Sequence, residues 1–206
     1  MRKSKVHSTQ FDEVLGENNG NSAPIQNSME MAVENSTEKT YASPLPYSDT
    51  KAVGAADFYF AINATFRFIL ERAGLDGLRR YWTDLGNGYF APVSERWKAN
   101  GLLGIEEYWS SFFKAEPGAE VEIQRSEAQV TVDVKVCPAI QHLRKHGREI
   151  VPCFCQQCYF INEAIASRAG FAARVVGGNG SCVQIFQRNT GDIAPQDLTT
   201  IKVASC

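Results

Sequence analysis

Hydrophobic residues recur along this chain with two different periods, and the change of period divides its middle. From Asp57 onward Phe58, Ile62, Phe66 and Ile69 fall at spacings of four, four and three, which predicts one apolar helical face with Gly74 as its stop. "LDGLRRYWTDLG" predicts a second helix, and "APVSERWKANG" a third, with Pro92 in its first turn and Gly101 at its end. "GIEEYWSSFFKAEPG" predicts a fourth, with Ile105, Trp109 and Phe112 or Phe113 on one side. Beyond it the pattern alternates. In "AEVEIQRSEAQVTVDVKV", Val121, Ile123, Val130, Val132, Val134 and Val136 point one way with polar residues between, as in two strands joined through "RSEA".

"CPAIQHLRKHG" then predicts a short helix between Pro138 and Gly147. "FCQQCYFINEAIASRAG" predicts a longer one beginning near Pro152, with Phe154, Cys158, Ile161 and Ile165 in its apolar row. "FAARVVGGNGSCVQIFQ" reads as two strands around a glycine-rich turn. The expected fold class is α+β, with a helical first half and an antiparallel sheet of two hairpins with two intervening helices. Residues 1–51, rich in Ser, Asn, Glu, Thr and Pro, bury too little apolar surface to offset the entropy of ordering and are expected to form a disordered arm. The folded domain is expected over 52–189, and 190–206 as a polar tail.

Composition narrows the function classes. Of 206 residues 44% are hydrophobic, enough for one domain with a core, and the net charge of −2 comes without a Lys/Arg stripe, so neither nucleic acid nor an anionic membrane is an expected partner. No apolar run follows the basic start "MRKSKVHSTQ", which argues against a secretory signal, and a cytoplasmic location is expected. Reducing conditions there make the six cysteines reactive, metal-bound or buried rather than a disulfide framework.

Three of the six lie in "VPCFCQQC". At the head of a helix, Cys153 and Cys155 meet unpaired backbone N–H groups and the positive end of the dipole, so a thiolate there is expected to have a depressed pKa, the requirement for a nucleophile. Cys155, Cys158, Tyr159 and Asn162 are expected on one side of that helix. His142 and His146, four apart on the preceding helix, supply a helper base or, with thiolates from Cys153, Cys155 or Cys158, a tetrahedral zinc site. Cys-x-Cys-x-x-Cys is not the paired Cys-x-x-Cys of a zinc ribbon. Cys158 also fits plain core packing, and both histidines, beside Arg144 and Lys145, also fit a solvated face. Cys137 has no partner readable from spacing. In "GGNGSC", bare backbone N–H groups at Gly178, Asn179, Gly180 and Ser181 are suited to a developing oxyanion, ahead of a strand on which Cys182, Gln184 and Phe186 share a face.

With "VCPAIQHLRKHG", "FCQQCYFINEAIASRAGF" and "GNGSCVQIF", residues 58–186 resemble the L-2-amino-thiazoline-4-carboxylic acid hydrolase-like domain, a group similar in layout to 4-vinyl reductase and TRAPP-like domains. The resemblance implies a hydrolase that opens a cyclic amidine or related C–N/C–S bond in a small carboxylated heterocycle, without a cofactor. Cys155 would attack the sp² ring carbon, with Cys182 in reach of the same cavity. His142 or His146 would carry the proton, and Arg174 or Arg148 would clamp the substrate carboxylate. The alternative is a non-catalytic small-molecule or metal-binding sensor, holding zinc or iron with Cys153, Cys155, Cys158, Cys182 or His146. A scaffolding subunit tethered by the N-terminal arm is the third reading. A homo-oligomer is compatible with the sequence, and Trp82, Trp97, Trp109, Tyr81 and Tyr108 fit either core or cavity wall.

Overall fold

The computed structural model describes residues 56–205; the arm expected over 1–51 and the terminal Cys206 lie outside the described residues. The four helical segments of the first half are joined in pairs. Helix α1 (Phe58–Asn87) is interrupted at Gly74 with φ 68°, and α2 (Ala91–Ala115) at Gly101 with φ 62°. That left-handed region strains residues with a Cβ, so the glycines turn each chain segment without ending the helical run. Among the described residues no helix is long and apolar enough to cross a membrane.

The alternating segments form β1 (Glu120–Arg125) and β2 (Gln129–Val136), followed by α3 (Pro138–Lys145), α4 (Gln156–Arg168), β3 (Phe171–Gly178) and β4 (Ser181–Arg188). Asn179 and Gly180, with φ of 59° and 117°, make the two-residue turn that joins β3 to β4 with the twist a hairpin needs. The two hairpins pair through β2 and β4, so all four strands belong to one antiparallel sheet. This is the expected α+β arrangement.

The segment expected as a polar tail comes back to the sheet. After a 3-10 turn over Leu198–Thr200, β5 (Ile201–Lys202) pairs parallel to β3 at Gly177 and Gly178, giving the order β1-β2-β4-β3-β5. Gly178 is required here. A Cβ on it would stand 2.9 Å from the Lys202 carbonyl oxygen and 3.2 Å from Cys155 Cβ, at a φ of 129°.

Helix α4 starts at Gln156, later than its sequence suggests. Residues 152–155 form tight turns instead, closed by Phe154 N–H on Val151 O and Gln156 N–H on Cys153 O, both at 2.9 Å. The apolar faces meet in two buried clusters. One packs Trp97, Ile105 and Trp109 of α2 against Val130, Val132 and Phe186 of the sheet and Ile165 of α4. The other gathers Phe66, Leu78 and Trp82 of α1 with Ile140 and Leu143 of α3 and with Phe154. Each such fully buried side chain contributes about 1.5–3 kcal/mol relative to exposure. Cys137 and Ile161 pack against both clusters and mark the boundary between them.

Candidate functional site

That boundary is hollow. A cavity of about 660 Å³ is lined from α1, α2, α3, α4 and the sheet, within the range of small-molecule sites. Its wall is mostly aromatic and aliphatic: Tyr59, Ile62 and Phe66 come from α1, Tyr108, Trp109 and Phe112 from α2, and Ile161 and Ile165 from α4. Tyr81 also lines it, whereas Trp82 and Trp97 are wholly buried in the two clusters.

Four thiols face this space: Cys137, Cys155, Cys158 and Cys182. Each arrives by a different local rule. Cys137 precedes Pro138 at the β2–α3 junction, where its N–H donates to Gly180 O at 2.8 Å. Cys155 is the residue just ahead of α4, and Cys158 lies one turn further along. Cys182 sits on β4 opposite Gly177, on the inward face with Gln184 and Phe186, as the alternation predicts.

The electrostatics overturn the depressed thiol pKa expected at the helix start. Burial pushes Cys155 up, and this outweighs the Asn179 N–H, which donates to Cys155 Sγ at 3.2 Å, and the nearby Arg144 guanidinium, which both pull it down. Burial, reinforced by the charge Cys182 would carry, holds Cys158 well above its usual value. Burial and the neighbouring Cys137 push Cys182 up to about 12. Cys137 is also raised by burial, with Glu116 acting in the same direction. The dipole of one helix end is worth about 0.3–1 kcal/mol, which loss of hydration on this scale exceeds.

Other expected site residues divide between the cavity and the outside. Gly178, Gly180 and Ser181 line the wall beside Cys155, and Asn179 contributes its backbone N–H. His142 and His146 do not reach the cavity. His142 Nε2 lies 3.0 Å from Asp57 Oδ1, its ring packs on Phe60, and His146 Nδ1 contacts the His142 carbonyl oxygen at 2.9 Å. Both pack against the start of α1, around Asp57 and Phe60, and neither lines the cavity. Arg148 stacks over the Phe60 ring at 4.7 Å. Arg174 bonds to the carbonyl oxygens of Ala173 and Ala194 and lies 3.5 Å from Glu163. Neither arginine lines the cavity, so neither clamps a carboxylate there. The metal ligand set is split in the same way, since Cys153 packs against the Phe66–Leu78–Trp82 cluster and His146 against Phe60, and neither lines the cavity. No group of three or more His, Cys, Asp or Glu among the described residues is disposed to hold a metal ion.

No protein-family model matches the chain, and no curated protein matches it.

Two polar pairs stand in the wall, one of them between Asn162 and Gln184, which the spacing sets on the thiol-bearing faces of their helix and strand without pairing them. Tyr59 Oη donates to Glu116 Oε2 across the space between α1 and the end of α2, and burial, then this bond, raises the Tyr59 pKa far above its ordinary value. Asn162 Nδ2 donates to Gln184 Oε1 at 2.7 Å in the interior. Tyr59 and Glu116 have no counterpart in the sequence reading, and Arg144 is a third absentee from the expected site. It bonds to Asn179 Oδ1 and, at 3.0 Å, to Ser205 O, so it braces the turn beside Cys155 from behind. The available signal for Tyr59, Glu116 and Arg144 was weak: a lone Tyr, Glu or Arg in a helix or at its end carries no spacing.

Proposed function

We propose that this domain binds a small, largely apolar organic molecule in the cavity between its two buried clusters. One observation carries the reading: about 660 Å³ of space walled chiefly by aromatic and aliphatic side chains, with few polar groups to orient a guest. Thiols that stay protonated behave as small soft hydrophobes and fit the same wall. Titration with N-phenyl-1-naphthylamine, a neutral fluorophore that brightens in apolar surroundings, tests the reading. Saturable binding of one probe per chain is expected, with quenching or enhancement of Trp109 emission. Ala61→Trp, which adds bulk at an exposed lining position of α1, is expected to weaken binding by at least about tenfold, equivalent to about 1.4 kcal/mol. A linear, unsaturating response defeats the proposal. Zinc and iron analysis of the purified protein tests the metal-binding form of the same reading.

A cysteine hydrolase is the second reading, favoured by one contact: the Asn179 N–H on Cys155 Sγ at 3.2 Å, beside the backbone of Gly178 to Ser181. The Cys155 sulfur would add to the sp² carbon of a cyclic amidine. The ring C–S bond would then break, the leaving sulfur taking up a proton, and water would displace the Cys155 sulfur from the amidine carbon, leaving the urea of the product and a free Cys155 thiol. Incubation with 2-amino-thiazoline-4-carboxylate and mass-spectrometric detection of N-carbamoylcysteine test it. Turnover unchanged in Cys155→Ser removes the nucleophile.

A further inference from the structure

The charges in the cavity wall are one-sided. Among the described residues no Lys, Arg, His or Asp lines it, and Glu116 is its one acidic side chain. We infer that the molecule held here carries a positively charged nitrogen, an amine or quaternary ammonium, seated against Glu116 at the C-terminal end of α2. This rests on the small-molecule reading above and adds the chemical class of the ligand.

Three observations converge on that end of the cavity. Glu116 caps α2, its own N–H donating to Phe113 O at 3.2 Å, so the last carbonyl groups and the negative end of the helix dipole lie beside the carboxylate. Tyr59 Oη holds Glu116 Oε2 in place, while no hydrogen bond among the described residues reaches its other oxygen and no ion pair engages it. The surrounding wall is aromatic, with Tyr108, Trp109, Phe112 and Phe113 on the final turns of the same helix. Trp109 and Phe113 stack with centroids 5.6 Å apart, and Tyr108 and Phe112 at 6.4 Å. A desolvated cation among such rings is attracted to their electron-rich faces, and a carboxylate beside it adds to the attraction. A ligand carboxylate would meet only repulsion from Glu116, because Arg148 and Arg174 are engaged elsewhere.

Three probes that share a naphthalene body separate head from body: (2-naphthylmethyl)trimethylammonium, 2-naphthylmethanol and 2-naphthoate, each titrated into the full chain. The ammonium is expected to bind at least about tenfold more tightly than the alcohol, about 1.4 kcal/mol, with the naphthoate weakest. In Glu116→Gln the advantage of the ammonium over the alcohol should fall below about threefold. An alcohol that binds as tightly as the ammonium, or a naphthoate that binds best, overturns the cationic head and leaves the cavity reading standing. A full ammonium advantage retained in Glu116→Gln overturns the assignment to that carboxylate. Failure of all three probes to saturate overturns both proposals. The comparison in the unmutated protein does not depend on how any variant folds.

Discussion

Asn162 on α4 and Gln184 on β4 share one buried hydrogen bond, Nδ2 to Oε1 at 2.7 Å, with only 4% and 3% of each residue exposed. A helix and a strand that otherwise meet through apolar contact are thus fixed in register by one amide pair. Gln184→Leu strands the Asn162 amide in the interior, and the expected loss is about 1–3 kcal/mol, seen as a lower urea midpoint. Adding Asn162→Leu should recover part of it. A double variant as unstable as the sum of its parts would show that the two amides act independently.

Stability should fall at alkaline pH. Below about pH 9 the thiols are protonated in folded and unfolded chains alike, and they add no pH dependence. Above it the unfolded chain releases the Cys182 proton while the native cavity retains it up to about pH 12, so stability declines through that window. Cys158 and Tyr59, whose pKa values burial raises above their ordinary 9.0 and 10.0, act in the same direction. Urea melts at pH 7.5, 9.5 and 10.5 check this, and Cys182→Ala should flatten the decline.

Alkylation gives a separate reading of the same thiols. At pH 7.5 iodoacetamide should modify Cys137, Cys155, Cys158 and Cys182 at least about tenfold more slowly than N-acetylcysteine, since only the thiolate reacts. In denaturing urea the rates should converge. Rapid modification of Cys155 alone, mapped by peptide mass, would instead support the hydrolase.

Gly86 marks the closest approach of α1 to α4. A Cβ there would lie 2.6 Å from Ile161 O and 2.7 Å from Ala164 Cβ. In a free helix Gly→Ala gains about 1 kcal/mol, but here overpacking at about 1–3 kcal/mol should prevail and lower the melting temperature. A stabilised Gly86→Ala protein would mean that the two helices stand further apart.

Local patterns carried the elements. Gly74 and Gly101 broke the helical period where the backbone turns, and the alternation from Val121 to Val136 placed the first hairpin with its buried face correct. Strand β5 was hidden because two residues are too few for a period, and its pairing depends on the edge offered by Gly177 and Gly178. Within the site, Cys155, Cys158 and Cys182 and the glycine turn were legible as chemistry-bearing residues, and they do share one space. Their protonation was not. A helix start is visible in sequence, whereas the walls that remove water from it come from Tyr59, Trp109 and other residues far along the chain. The histidines misled for a related reason: spacing places a pair on one helix face, and only tertiary packing decides what that face meets.

The Asn179–Gly180 turn fixes more than a strand connection. It sets Gly178 opposite Ser181, and the two-residue repeat then directs Cys182 and Gln184 inward while Val183 and Ile185 look out. Slippage by a single position would exchange the sets, presenting a guest with plain aliphatic groups and leaving sulfur and amide to bulk water. What the hollow can recognise is thereby inherited from two small loop residues, one of which never lines it.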